Sequence, residues 1–156
     1  MNKTNVMRML DLAKILYTSA QYEYDENDLS GVHAAEVLGL QPEMVFKTLV
    51  AKGDRTGVTV FVIPVSEELD LKKAASVSKN KKIEMLHVKE LLGVTGYIRG
   101  GCSPIGMKKK FNTFIDETCM LFDNISISAG ARGCQVLIAP NDLIRYIGAE
   151  LRDLTV

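Results

Sequence analysis

The chain has 156 residues, with 19 basic and 19 acidic side chains and 47% hydrophobic residues. This length fits one domain, which we expect to span residues 1–156, and such a chain buries roughly 70% of the surface that its unfolded form exposes. It therefore needs no disulfide or metal in order to fold. The balanced charge excludes a uniformly basic nucleic-acid-binding protein but does not exclude a protein with one basic face.

The sequence also predicts the compartment. The first residues lack the apolar segment of a secretory signal, and no apolar run reaches the roughly 18 residues of a membrane helix. Cys102, Cys119 and Cys134 are widely spaced and form no CxxC pair, which favours neither a disulfide framework nor a thiolate zinc site. We expect a cytoplasmic protein with no membrane attachment, no metal and no other cofactor.

The first half of the chain predicts three helices and three strands. Apolar spacing predicts a helix over residues 5–17, followed by a short strand that contains Tyr22 and Tyr24. After an acidic turn, Ser30 is placed to cap a second helix, and Pro42 suits the first turn of a very short third one. Residues 45–52 and 58–65 are predicted as neighbouring strands.

The second half predicts an α+β fold. We expect helices over residues 69–77, 88–92 and 141–147, and strands over residues 82–86, 113–116, 125–128, 134–139 and 152–156. A glycine-rich stretch lies between residues 93 and 106. Because strands outnumber helices and do not alternate strictly with them, the pattern favours a mixed sheet flanked by helices.

Lys47 is the most unusual residue of the predicted strands. Period-two geometry places it on the same face as Val45, Leu49 and Ala51. An ammonium group on an apolar face is costly to bury unless it is paired or functional. The alternative is that its stem lies among the apolar side chains while the charge reaches water. The pattern alone does not choose between these readings.

Two segments rich in small residues can approach a ligand closely. In the segment from Gly100 to Gly106, successive N–H groups can form an anion-binding nest, although a tight structural turn explains the same residues. The segment fits neither a P-loop nor a nucleophile elbow. Residues 126–133 contain Ser128 and Arg132, which either position a phosphate or carboxylate or form a solvated hairpin turn.

Common catalytic arrangements are missing from the sequence. His33 and His87 are the only histidines and do not form an HxxxH or HExxH pattern, which argues against a metal hydrolase. A Ser–His–Asp triad would need one of them, and each is better explained as structural. A strongly basic stretch remains, because residues 72–110 carry ten basic and two acidic side chains. It is either a set of solvated faces or a surface that attracts a polyanion.

Six segments in order resemble the YbaK/EbsC family of freestanding aminoacyl-tRNA deacylases, which is related to the editing domain of bacterial prolyl-tRNA synthetases. They cover nearly the whole chain and are residues 34–39, 45–49, 71–75, 95–106, 128–133 and 138–143. The resemblance implies a single α+β domain with a mixed sheet or partial barrel, which hydrolyses the ester between an amino acid and the terminal adenosine of tRNA.

The resemblance also implies site residues. Lys47 matches the family's essential lysine, and Gly100 and Gly101 are expected to contribute N–H groups to catalysis. Substrate contacts are expected from four residues: Tyr22, Ser103, Ser128 and Arg132. The basic stretch, and in it Lys108, Lys109 and Lys110, is expected to face the tRNA. Some relatives carry an acidic residue shortly after the arginine–glycine pair, where this chain has Cys134-Gln135-Val136.

The implied reaction is removal of a mischarged small amino acid, cysteine above all, from tRNA(Pro). Family members specific for cysteine are thought to use the thiol of the substrate as the nucleophile, so that no protein nucleophile is needed. Two alternatives stay open: an alanine-specific deacylase that activates water, and a non-catalytic module that binds tRNA or a nucleotide. The implied partners are aminoacyl-tRNA and, beyond it, prolyl-tRNA synthetase; the sequence does not predict the oligomeric state.

Overall fold

The computed structural model describes residues 2–156. In that part of the chain, five α-helices, two 3₁₀ helices and eight strands follow one another. Their bounds are α1 Asn5–Leu12, β1 Tyr17–Gln21, α2 Gly31–Leu38, a 3₁₀ helix Pro42–Met44, β2 Phe46–Gly53, β3 Gly57–Pro64, α3 Leu71–Val77, β4 Ile83–Met85, α4 Val88–Thr95, β5 Asn112–Asp116, a 3₁₀ helix Glu117–Leu121, β6 Ile125–Ala131, β7 Cys134–Ile138, α5 Pro140–Ile147 and β8 Glu150–Arg152. None of these helices is long and apolar enough to cross a membrane.

The strands form two sheets. The larger one has the order β4-β2-β3-β5-β8. Strand β2 pairs antiparallel with β4 and with β3, whereas β5 pairs parallel with β3 and with β8. The smaller one has the order β1-β7-β6 and is antiparallel. A parallel bridge between Val45 and Ser126 joins the sheets at one point. The predicted α+β fold with a mixed sheet is confirmed, and the two sheets do not close into a barrel.

The main core lies between the two sheets and under α1. Phe46, Val50, Val60 and Val62 of the larger sheet pack in one cluster with Ile125, Ile127, Val136 and Ile138 of the smaller sheet and with Leu10 of α1. The opposite face of the larger sheet is covered by α3, whose Ala74 and Ala75 pack against Ala51, Phe61 and Ile63. Because strand side chains alternate between faces, β2 contributes to both clusters.

Local capping fixes the helix starts that matter for the site. The Thr4 hydroxyl accepts the Met7 N–H at the start of α1, and the Ser30 hydroxyl accepts the His33 N–H at the start of α2. An N-cap oxygen of this kind satisfies a backbone donor that the helix cannot pair internally. The predicted cap at Ser30 is therefore confirmed.

Two predicted elements at the N-terminus are wrong in position. Helix α1 ends at Leu12 rather than at residue 17, because Lys14 adopts a left-handed conformation with φ 58°. The strand predicted around Tyr22 and Tyr24 lies earlier, at Tyr17–Gln21, because these residues pair with β7. Tyr22 follows directly, and its N–H donates to the Gly133 carbonyl at 2.9 Å.

Three further differences lie in the second half of the chain. Helix α4 continues to Thr95 rather than stopping at residue 92, and the last strand is Glu150–Arg152 rather than residues 152–156. The 3₁₀ helix Glu117–Leu121 was not predicted. It is capped by Asp116, whose side chain accepts the Thr118 N–H.

Candidate active site

A cavity of about 410 Å³ opens where the two sheets diverge from the bridge between Val45 and Ser126. Its walls come from the start of α2, from β2, from the residues around β4 and α4, from the glycine-rich loop and from the smaller sheet. Its polar lining consists of Tyr22, Ser30, Lys47, Thr48, Arg99, Gly100, Cys102, Ser128 and Gln135. The cavity therefore gathers residues from segments that are far apart in the sequence, between Tyr22 and Gln135.

Lys47 stands half-buried on β2 at the cavity. Burial lowers the pKa of its ammonium group, and the negative charge of Glu68 opposes that shift. The Lys47 side chain forms no hydrogen bond or ion pair with any residue between 2 and 156. Leu49 and Ala51, which share its face of the strand, pack in the cluster under α3. The charge is partly desolvated and unpaired, so it is available to an anionic or polar ligand.

The paired glycines have different environments. Gly100 lines the cavity and adopts φ +86°, a conformation that favours glycine. Gly101 does not line the cavity, and its N–H donates to the Ile98 carbonyl at 3.0 Å. It packs against the chain at Ala131, where an added Cβ would lie 3.2 Å from the backbone. Of the two predicted N–H donors, only that of Gly100 remains for a ligand.

Ser103 and Arg132 lie outside the cavity lining and hold the glycine-rich loop. Ser103 is fully buried, and its hydroxyl accepts the Ile105 N–H at 3.3 Å. The Arg132 side chain donates through Nε to the Arg99 carbonyl at 2.9 Å. These contacts fix the segment that carries Arg99 and Gly100, so the two residues position the site rather than line it.

The smaller sheet contributes Tyr22, Ser128 and Gln135. The Ser128 hydroxyl accepts the Gly130 N–H at 3.1 Å, where the pairing of β6 with β7 shifts register. Gln135 accepts a 2.9 Å hydrogen bond from the buried Ser126 hydroxyl. Burial raises the pKa of Tyr22, and the nearby polar groups of Gly133 and Gln135 oppose this shift only in part. Gln135 gives this wall of the cavity an amide group.

The lining holds no Asp, Glu or His. Its cysteine, Cys102, is a poor nucleophile, because burial raises the pKa of the thiol to about 11. Within residues 2–156, no three His, Cys, Asp or Glu side chains are grouped to hold a metal ion. The cavity therefore offers two cations, Lys47 and Arg99, and hydrogen-bonding groups, but no nucleophile–base pair.

The three consecutive lysines lie away from this cavity. The Lys108 ammonium donates to the Gly93 carbonyl in α4 at 3.3 Å, and Lys109 and Lys110 line a different cavity together with Tyr146. Of the ten basic residues between 72 and 110, Arg99 alone lines the larger site. Any contact of the three lysines with tRNA would thus be made outside this cavity.

Sequence reasoning did not single out Arg99 or Thr48 as lining residues. Arg99 directly precedes Gly100, and this position next to the glycine-rich loop is the sequence signal that could have identified it as a lining residue. Thr48 follows Lys47 on the strand, and alternation points their side chains to opposite faces. Lys47 and Thr48 nevertheless both line the cavity, because the cavity lies against the edge of β2. The sequence does not reveal which edge of a strand is free.

Replacement of Gly100 by alanine should destabilise the protein and disturb the cavity. The left-handed conformation costs a non-glycine residue about 1–2 kcal/mol, and the new Cβ would lie 3.3 Å from Leu29. Gly93 is the matched control, because a Cβ there meets no atom within 4 Å and the residue is exposed in α4. We expect Gly93→Ala to stabilise by about 0.5–1 kcal/mol. Urea unfolding of both variants checks this, and equal effects would contradict it.

Known proteins resemble this chain in sequence and in fold. Residues 29–146 match the model of the aminoacyl-tRNA editing domain family. EbsC of Enterococcus faecalis, described as a candidate Cys-tRNA(Pro)/Cys-tRNA(Cys) deacylase, is 47% identical over 153 residues, which cover 98% of this chain and 93% of EbsC. YwhH of Bacillus subtilis is 24% identical over 124 residues, covering 80% of this chain and 78% of YwhH.

Solved structures share the fold. A crystal structure described as that of a candidate trans-editing enzyme for prolyl-tRNA synthetase superposes with a TM-score of 0.82 at 20% identity, over 99% of each chain. Another, of a hypothetical protein, has a TM-score of 0.88 at 18% identity and covers 98% of this chain and 100% of that one. With the family match over most of the sequence and the close relative in Enterococcus, the chain belongs to the aminoacyl-tRNA editing domain family.

Proposed function

We propose that this protein is an aminoacyl-tRNA deacylase that removes cysteine from tRNA(Pro). The observation that carries the proposal is the composition of the cavity, which holds Lys47, Arg99 and an available Gly100 N–H but no acid, histidine or reactive cysteine. Such a site can bind and orient a polar ester, and it lacks the nucleophile–base pair of an enzyme that attacks with its own side chain. The 47% identity to EbsC supports the substrate class.

The nucleophile in this proposal is the thiol of the substrate cysteine. Its sulfur attacks the ester carbonyl carbon, the bond from that carbon to the ribose oxygen breaks, and the thiol proton ends on the departing ribose oxygen. The product is a cyclic thioester, which water then opens to cysteine. An alanine-specific reaction would need an activated water, and for this the cavity-lining residues offer no carboxylate or histidine and only Lys47 as a base.

The protein groups act on binding and on charge. Lys47 binds the phosphate or ribose side of the terminal adenosine, because its unpaired and partly desolvated ammonium favours an anion or a strong acceptor. The Gly100 N–H donates to the developing oxyanion. Tyr22 and Ser128 contact the substrate from the smaller sheet, and Ser103 and Arg132 hold the loop in place.

The partners in this proposal are tRNA and prolyl-tRNA synthetase. We propose that the basic stretch between residues 72 and 110, including Lys108, Lys109 and Lys110, faces the tRNA outside the cavity. Docking on the synthetase is the second part of the proposal, supported by the structural match to a candidate trans-editing enzyme. Because tRNA and the synthetase are the proposed partners, we also propose that the protein acts in the cytoplasm.

The test is deacylation of tRNA(Pro) charged with cysteine, alanine or proline, followed as loss of the ester. We expect the cysteinyl ester to be removed fastest. If the basic surface contacts tRNA, kcat/KM for cysteinyl-tRNA should fall as salt rises, whereas that for cysteinyl-adenosine should change little. Binding of all three charged tRNAs with no loss of ester would instead indicate a non-catalytic module.

A further inference from the structure

The cavity lies against a strand edge rather than a sheet face. Residues 45–50 line it without a gap. Side chains alternate along a strand, so a cavity against one face of the sheet would be lined by every second residue only. Beyond Val50 the same edge is covered by β4, which pairs with residues 51–53. The open part of the edge is therefore the stretch around Thr48, between the bridge from Val45 to Ser126 and the pairing with β4.

The hydrogen bonds of the flanking residues show which groups point out of this edge. The Val65 N–H donates to the Val45 carbonyl at 2.8 Å on the β3 side. The Leu86 N–H donates to the Val50 carbonyl at 3.0 Å on the other side. Successive residues of an antiparallel strand turn their N–H and C=O to alternate sides. The odd-numbered residues thus bond to β3, and Thr48 points its N–H and C=O toward the cavity.

Thr48 carries a third unpaired group. Its hydroxyl oxygen is the one buried side-chain oxygen or nitrogen within residues 2–156 that has no hydrogen-bond partner. An unsatisfied buried polar group costs about 1–3 kcal/mol, and folded proteins leave few of them. The N–H and the C=O of this cavity-lining residue also lack a protein partner, and because they point out of the open edge, a ligand in the cavity can supply partners for them.

We propose that the open edge of β2 at Thr48 binds the amino acid portion of the substrate as if it were one residue of an added strand. This inference rests on the proposed function. In an antiparallel hydrogen-bonded pair, one residue exchanges both its N–H and its C=O with the residue opposite. The α-ammonium of the substrate donates to the Thr48 carbonyl, and the ester carbonyl oxygen accepts the Thr48 N–H.

This arrangement explains how the cavity accepts an ammonium group. The lining has no carboxylate and has two cations, Lys47 and Arg99, so no side-chain charge can pair with the α-ammonium. A backbone carbonyl at a free edge supplies the acceptor instead. Strand addition also separates two tasks, because main-chain hydrogen bonds hold the ligand while the surrounding pocket selects its side chain. The Thr48 N–H joins that of Gly100 as a donor to the oxyanion.

The test compares Thr48→Pro with Thr48→Val. Both variants lack the hydroxyl, but only proline lacks the N–H, and proline is tolerated at an edge where the N–H is outside the ladder. We expect kcat/KM for cysteinyl-tRNA to be about 100-fold lower for Thr48→Pro than for Thr48→Val, the effect of losing an oxyanion donor. Leu49→Pro is the control, because its N–H bonds to β3, and that variant should unfold. Equal kcat/KM for the two Thr48 variants would overturn the proposal.

A second arm does not depend on the folding of a variant. The wild-type protein is given tRNA carrying 3-mercaptopropionate, which keeps the thiol and the ester but lacks the α-amino group. We expect kcat/KM at least about 10-fold below that for cysteinyl-tRNA, as for a lost hydrogen bond to a charged group. Equal values would overturn the proposal. Wild-type protein that deacylates neither substrate would instead reject the proposed function, and the inference with it.

Discussion

Lys47→Ala is expected to lower kcat/KM for cysteinyl-tRNA by about 10- to 150-fold, the range for losing one hydrogen bond to a charged group. The physical reason is that the ammonium group is unpaired in the free protein, so its contact with the adenosine is gained in full on binding. We expect KM to rise more than kcat falls, because this contact is present in the ground state as well as in the transition state.

Lys52→Ala is the control for the Lys47 variant. Lys52 lies on the same strand, but its side chain is exposed and pairs with Glu90 at 2.9 Å outside the cavity lining. An exposed ion pair of this kind contributes about 0–1 kcal/mol, so activity should stay near the wild-type value. Equal losses in the two variants would show that charge removal anywhere on β2 matters and that Lys47 has no specific role.

The lowered pKa of Lys47 gives the experiment a pH signature. Affinity for a non-hydrolysable aminoacyl-amide of tRNA should fall as pH rises through that pKa, which lies below the ordinary 10.5 of lysine. Lys47→Met should lose this dependence. The stability of the folded protein changes with pH in the opposite direction. Between the lowered pKa of Lys47 in the folded protein and its ordinary pKa in the unfolded chain, the unfolded chain binds more protons, so wild-type stability rises with pH in that range. Lys47→Met should lack that rise.

The fold was largely predictable because its signals are local. Ser30, Gly39 and Pro42 mark helix boundaries through capping and fixed φ, and the turn between β2 and β3 lies between two glycines. The strand around Tyr22 was misplaced because β1 is set by pairing with β7, more than a hundred residues away. Local propensity carries no information about that register.

The site was only partly predictable for the same reason. The resemblance pointed to Lys47, Gly100, Tyr22 and Ser128, and the structure brings all four to one cavity. Three other residues that the resemblance pointed to lie outside the cavity lining: Gly101, whose N–H already donates to a backbone carbonyl, Ser103 and Arg132. Neighbours in a motif share a segment of chain, but whether each N–H is free depends on tertiary hydrogen bonds that no motif specifies.

The largest expected effect comes from the substrate and not from the protein. 2-Aminobutyryl-tRNA keeps the amino group, the ester and nearly the same side-chain volume, because a methyl group replaces the thiol, but it has no sulfur that could form the cyclic thioester. Intramolecular attack by a held nucleophile has an effective molarity of about 10⁵ M or more, so its loss should reduce kcat at least about 10³-fold. KM should change little, because the binding contacts are kept.

Cys102→Ala tests whether a thiol of the protein, and not that of the substrate, attacks the ester. Its thiol lines the cavity, yet its raised pKa of about 11 leaves it almost entirely protonated at neutral pH. If the substrate supplies the nucleophile, this variant should deacylate cysteinyl-tRNA within about 2-fold of the wild-type rate, a change of less than 1 kcal/mol in the barrier. A loss as large as that caused by replacing the substrate thiol with a methyl group would assign the attack to Cys102. Equal rates for cysteinyl- and alanyl-tRNA would assign it to water, since alanine has no thiol to offer.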